Sequence, residues 1–229
     1  MARRLAQTVS KSKITRMNAH TQPIALHGAA GAIEALLDLP DAARPARGLA
    51  VIAHPHPLFG GTMHNKVAQT LARACVQSGW RAVRFNFRGV GASAGMHDEG
   101  RGEAQDMLAV VEQTRQPGEA LTLAGFSFGA YVAAQAVVHH ARAGDAPACA
   151  LLVGTAASRF AVPALAPELH ERTLVLHGEQ DDTVPLAAVM DWARPQSLAV
   201  TVVPGGGHFF HGQLPLLKTL AMRHLRACV

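Results

Sequence analysis

Cysteine is scarce in this chain: Cys75, Cys149 and Cys228 are far apart and form no CxxC pair. An odd count without close spacing is poor material for a disulfide framework or a cysteine-rich zinc site, so these read as buried or terminal thiols. Long apolar runs are also missing, and nothing approaches the ~20 residues that span a bilayer. The N-terminus has no apolar central stretch of a secretory signal, so the sequence reads as a soluble, cytoplasmic protein with no membrane partner. Repeats and low-complexity segments are absent. With 229 residues and 49% hydrophobic content, the chain has enough apolar material for one sizeable core.

The net charge of +5 is unevenly placed. Arg3, Arg4, Lys11, Lys13 and Arg16 lie in a leading segment without an acid, and the remaining sixteen basic residues are matched by sixteen acidic ones. The body of the protein therefore has no net field to recruit nucleic acid. Residues 1–16 are basic, polar and aperiodic, and read as a disordered extension to a single domain over residues 17–229. A transit peptide is the alternative reading of that extension, and Met17 is a candidate start.

What is present is an alternation of short apolar runs with amphipathic ones. Residues 22–27 and 32–39 read as a hairpin across Gly28 to Gly31. Strands are then expected at 48–53, 81–87, 120–124, 148–153, 173–177 and 199–203, and helices at 65–77, 103–115, 131–138, 186–194 and 214–227. Apolar strands without polar alternation, joined by helices, imply an α/β fold: a mostly parallel, doubly wound sheet covered on both faces. In such a sheet, functional loops gather at the carboxyl ends of the strands.

Three chemical candidates fall at such ends. Gly125-Phe126-Ser127-Phe128-Gly129 joins a strand to a helix, the context in which GxSxG projects a serine hydroxyl as a nucleophile. Serine also caps helices, which is the competing reading of Ser127. A later strand runs into His177-Gly-Glu-Gln-Asp181-Asp182-Thr-Val-Pro185, and the last strand leads through Gly205-Gly206-Gly207 to His208. A serine hydroxyl needs a neighbouring base, and a base needs a carboxylate to hold its tautomer. His208 is the candidate base, with His211 as rival, and Asp181 or Asp182 the candidate acid.

With these motifs, and with His54-Pro-His-Pro-Leu-Phe-Gly-Gly61 and His208-Phe-Phe-His-Gly212, the chain resembles the α/β-hydrolase superfamily over residues 21–229. Within it, the chain looks like a lidless bacterial group related to dienelactone hydrolase. The resemblance implies a serine hydrolase with Ser127, Asp181 and His208 as its triad, acting on small soluble carboxylic esters or thioesters, with no cofactor. A peptidase of the same fold and a catalytically silent binding protein are the alternatives. Dienelactone hydrolase itself would carry cysteine where this chain has Ser127.

An oxyanion hole would use the backbone N–H of Phe128 and a second donor from the loop after residue 53. Pro55 and Pro57 have no N–H, which leaves His54, His56 and Leu58. Similarity to the dienelactone hydrolase loop favours Leu58. His54, His56 and His64 also suggest a metal site, but an HxHxDH pattern would need Asp and His at Leu58 and Phe59, so no metal is expected. Gly89-Val-Gly-Ala-Ser-Ala-Gly95 is spaced as GxGxxxG without a prompt helix, which reads as a structural loop rather than a dinucleotide site. Arg88 reads as a brace for that loop, with an anionic substrate group as the alternative. Phe59, His56 and Phe209 are the expected substrate contacts. Only about twenty residues separate the strand after the nucleophile helix from the acid strand, too few for a cap domain, so the site is expected to be open. A monomer or homodimer acting on a small molecule completes the expectation.

Overall fold

The computed structural model describes residues 20–41 and 46–228. The expected extension over residues 1–16, and Met17, lie outside them. Strands β1 (Thr21–Gly28) and β2 (Gly31–Asp38) pair antiparallel, with Gly28 opposite Gly31. There follow β3 (Gly48–Ala53), α1 (Lys66–Gln77), β4 (Arg81–Phe85), α2 (Arg101–Thr114), β5 (Ala120–Phe126), α3 (Phe128–Arg142) and β6 (Cys149–Val153). The chain ends in β7 (Thr173–Gly178), α4 (Leu186–Ala193), β8 (Val200–Val203) and α5 (Leu214–Ala227).

All eight strands form one sheet in the order β1-β2-β4-β3-β5-β6-β7-β8. β2 meets β4 antiparallel, and every pairing from β4 to β8 is parallel. β3 shows why its sequence is apolar without alternation. Leu49, Val51 and Ala53 enter one core with Met107 of α2 and Val132 of α3, while Ala50 and Ile52 enter a second core with Leu71 of α1 and Leu217 of α5. A strand buried on both faces cannot afford a polar side, which is the pattern of a doubly wound sheet.

Some boundaries differ from the sequence expectation for local reasons. β4 stops near Phe85 because the chain then leaves the ladder: the Asn86 N–H still donates to the Glu34 carbonyl of β2, but the Phe87 N–H turns to His54 Nε2. α4 stops at Ala193, where a 3-10 turn containing Pro195 takes over. α3 is longer than expected at both ends, because its first turn begins directly at the nucleophile candidate.

From β3 the chain moves to β4 on one side and then crosses back to β5 on the other. This change of direction next to β3 is a topological switch point, where open α/β sheets leave a crevice. The segment between β6 and β7 holds only a 3-10 turn, Pro167–Leu169, so among the described residues no cap domain stands over the crevice. On the antiparallel side, fully buried Arg84 on β4 is held by Asp38 on β2 at 2.8 and 3.2 Å. The Thr21 hydroxyl donates to Asp38 Oδ1 and the Met63 carbonyl accepts from Arg84, adding the further hydrogen bonds that a buried charge pair needs.

Candidate active site

Ser127 sits between the last residue of β5 and the first of α3 with φ 58° and ψ −118°, a strained conformation for any residue with a side chain. Tight packing holds it there. A Cβ on Gly125 would stand 2.0 Å from the Gly129 carbonyl oxygen, and one on Gly129 would stand 2.4 Å from that of Ala53. Both flanking positions therefore exclude side chains, and the Ser127 N–H is tied to the Val153 carbonyl at 2.8 Å. The Ser127 side chain makes no capping bond to α3. The helix-cap reading of this serine thus has no bond to support it.

Its hydroxyl instead lies 3.0 Å from His208 Nε2, and His208 Nδ1 lies 2.7 Å from Asp181 Oδ2. The structure brings these three residues together from three different loops at the carboxyl edge of the sheet. All are nearly buried, with Ser127 8% exposed and opening on a cavity rather than on bulk solvent. The His208 ring packs against Phe126 and Phe209.

Asp181 is fixed as an acceptor. Its Oδ1 receives the N–H groups of Thr183 and Val184 at 3.0 and 2.7 Å, a turn that also starts the approach to α4. Burial alone would raise this carboxyl, but the hydrogen bonds from His208 and Val184 and the charges of His208 and His177 outweigh it and hold it below the usual range. Asp182, its neighbour, bonds only the adjacent Thr183 hydroxyl. His211 is exposed and does not line the cavity. Sequence reasoning assigned no role to His177, whose fully buried Nε2 donates to the Val184 carbonyl at 2.9 Å and stands 3.4 Å from Asp181 Oδ2.

The cavity beside Ser127 has a volume of about 380 Å³. His56, Phe59, Phe128, Phe160 and Phe209 form its aromatic walls, with His56 in ring contact with Phe59 and Phe128. Arg159, at the mouth over the Phe59 ring, and Asn65, the N-cap of α1, carried no sequence signal for this position, since neither lies in a motif. Phe126 and Phe210 are core residues at 0% exposure.

The Leu58 N–H does not face the cavity as expected. Residues Pro57–Phe59 form a 3-10 turn in which that N–H donates to His56 Nδ1 at 3.3 Å, and the Leu58 side chain is 70% exposed. Neither the His56 N–H nor that of Phe128, the first residue of α3, has an internal acceptor among the described residues, and both residues line the cavity. His54 has a different task. Burial lowers its ring to about pKa 4, and its neutral form bonds the Pro55 carbonyl and accepts the Phe87 N–H, tying the loop to the end of β4. Arg88 makes two 2.8 Å bonds to Asp106, the bracing role rather than a ligand contact.

An arrangement of hydroxyl, imidazole and carboxylate in line, beside backbone donors, is able to activate an oxygen nucleophile toward a carbonyl carbon. Comparison with known proteins agrees with this chemistry. A family model described as an alpha/beta hydrolase domain matches residues 47–216. The chain is 31% identical over 182 residues to an uncharacterized protein of Rickettsia prowazekii (strain Madrid E), covering 74% of each. Its structure is similar to that of XC6422 from Xanthomonas campestris, an a/b serine hydrolase without lid, with TM-score 0.82 and 36% identity over 92% of this chain and 95% of the other. It is also similar to an alpha-beta serine hydrolase homologue from Coxiella burnetii, with TM-score 0.75 and 35% identity over 89% and 97%.

Proposed function

The chain belongs to the alpha/beta hydrolase domain family, and from that membership we propose that it is a serine hydrolase cleaving small carboxylic esters or thioesters through an acyl-serine on Ser127. The observation that carries this reading is the unbroken line from the Ser127 hydroxyl through His208 to Asp181, opening on the aromatic cavity. His208 Nε2 takes the hydroxyl proton as Oγ attacks the carbonyl carbon. Asp181 keeps the opposite ring nitrogen protonated and stabilises the imidazolium that forms. The negative oxygen of the tetrahedral intermediate is received by the N–H groups of Phe128 and His56, the latter replacing Leu58. His208 then returns its proton to the departing alcohol or thiol, and a water activated by the same ring releases the acid.

A cavity of this size with apolar aromatic walls suits a short acyl group and excludes a long chain from full burial. The reaction uses no cofactor or metal and needs only the small-molecule substrate, so a monomer or homodimer in the cytoplasm suffices. The test is a fluorophosphonate reaction followed by peptide mass spectrometry, with turnover of p-nitrophenyl esters of increasing acyl length. The expected result is an adduct on Ser127, preference for short acyl chains, and a loss of roughly 10⁴-fold or more in Ser127→Ala. Folded protein that takes no adduct and turns over no ester would overturn the proposal in favour of a binding role.

A further inference from the structure

Cys149 is the first residue of β6 and Cys228 follows the last turn of α5. Although 79 positions apart in sequence, their sulfurs lie 3.2 Å from each other, at the edge of the sheet opposite Ser127. His224, one turn back along α5, joins them: a ring nitrogen and the two sulfurs all lie within 4.8 Å of one another. Its buried Nε2 has no hydrogen-bond partner among the described residues. Cys149 is fully buried, whereas Cys228 is partly accessible and has the Arg172 carbonyl at 3.9 Å.

The surroundings make the two thiols unequal. The hydrogen bond with Cys149, then the hydrogen bond and charge of His224 and the charge of Arg172, outweigh burial and hold Cys228 below the usual thiol range. The same bond, with burial, pushes Cys149 upward. An accessible thiol with a lowered pKa, 3.2 Å from a buried second thiol, is the arrangement of an oxidisable cysteine with its resolving residue.

We propose that Cys228 and Cys149 are a modification site: the Cys228 sulfur attacks hydrogen peroxide and Cys149 resolves the product into a disulfide that fastens α5 to β6. In the first step the Cys228 sulfur bonds to one peroxide oxygen as the O–O bond breaks. Cys228 becomes a sulfenic acid, and the departing hydroxide takes a proton and leaves as water. In the second step the Cys149 sulfur displaces the sulfenic hydroxyl, which leaves as water with the Cys149 proton. Two thiols are oxidised and one hydrogen peroxide is reduced to two waters. A thiol such as glutathione reverses the bond by exchange. A tetrahedral zinc would hold two thiolates about 3.8 Å apart and would add its charge to that of the Arg172 guanidinium, so the thiol pair suits oxidation better than a cation.

The test alkylates reduced, full-length protein at neutral pH with limiting iodoacetamide and maps the adducts by mass spectrometry. Cys75, which burial raises to about pKa 12, is the internal control. Cys228 is expected to react at least about tenfold faster than Cys75 in the native protein, and at a similar rate after unfolding in urea. Hydrogen peroxide added before alkylation should give a linked Cys149–Cys228 peptide that reducing agent removes. Cys149→Ser should stop at a dimedone-trapped sulfenic acid on Cys228. Cys228→Ser should take up no peroxide while keeping hydrolase turnover, and it carries the test if Cys149→Ser does not fold. Equal native rates at Cys75 and Cys228, or both Cys149 and Cys228 still alkylated after peroxide, would overturn the proposal. So would a stoichiometric zinc ion whose removal by chelator is needed before Cys228 reacts.

Discussion

At the scale of single residues, the proposed oxyanion donor is the most discriminating point. His56 has φ −52°, which proline adopts without strain, so His56→Pro removes the N–H and the ring while keeping the local path. His56→Ala removes the ring alone. Comparing the two isolates the backbone donor: kcat is expected to be about 10²–10³-fold lower in His56→Pro than in His56→Ala. Equal rates in steady-state assays would return the role to another group. His54 makes a pH prediction. Its folded pKa of about 4 lies below the ordinary 6.5, so as pH falls through that window the unfolded chain takes up a proton that the folded protein refuses. Folding stability therefore falls with pH from 6.5 to about 4, by up to about 3 kcal/mol from this group. Urea denaturation across that range should show a shallower slope in His54→Asn.

At the scale of elements, the junction of β5 and α3 sets the serine's position, because helix and strand are closer there than a Cβ allows. Gly129→Ala would put a methyl group against the Ala53 carbonyl and push α3 away from β3. The expected cost is about 1–3 kcal/mol of stability, read as a lower Tm, with a loss of turnover that persists well below Tm because the hydroxyl moves off His208. This junction was readable in the sequence because glycine spacing and the change from strand to helix are local signals. The positions of Asp181 and His208 were readable as well, since each follows its own apolar run. The conformation at Leu58 was not legible, because the prolines show which N–H groups are missing and say nothing about a 3-10 turn that folds a remaining N–H back onto the His56 ring. Arg159 reaches the cavity along an irregular segment that has no periodicity to read. The Cys149–Cys228 contact depends on how α5 docks on the sheet, and no spacing rule connects residues that far apart.

At the scale of the whole molecule, one mostly parallel sheet with a core on each face presents a single rigid edge, and the proposed chemistry occupies that edge. Among the described residues no helix is long and apolar enough to cross a membrane. The absence of a cap over residues 154–172 bears on the second half of the reaction. On the proposed mechanism, an acyl group on Ser127 faces a cavity with no cap over it among the described residues, so other small nucleophiles compete with water by concentration as much as by shape. Methanol added to an ester assay should be acylated in proportion to its share of the solvent, giving a methyl ester whose yield rises linearly with alcohol while total consumption of the first ester is maintained. A yield that stays at zero while activity persists would mean that water is selected by an enclosed route. On the proposed acyl-serine mechanism, the lack of a cap among the described residues leaves the abundance of water, rather than an enclosed route, to direct the acyl group to hydrolysis.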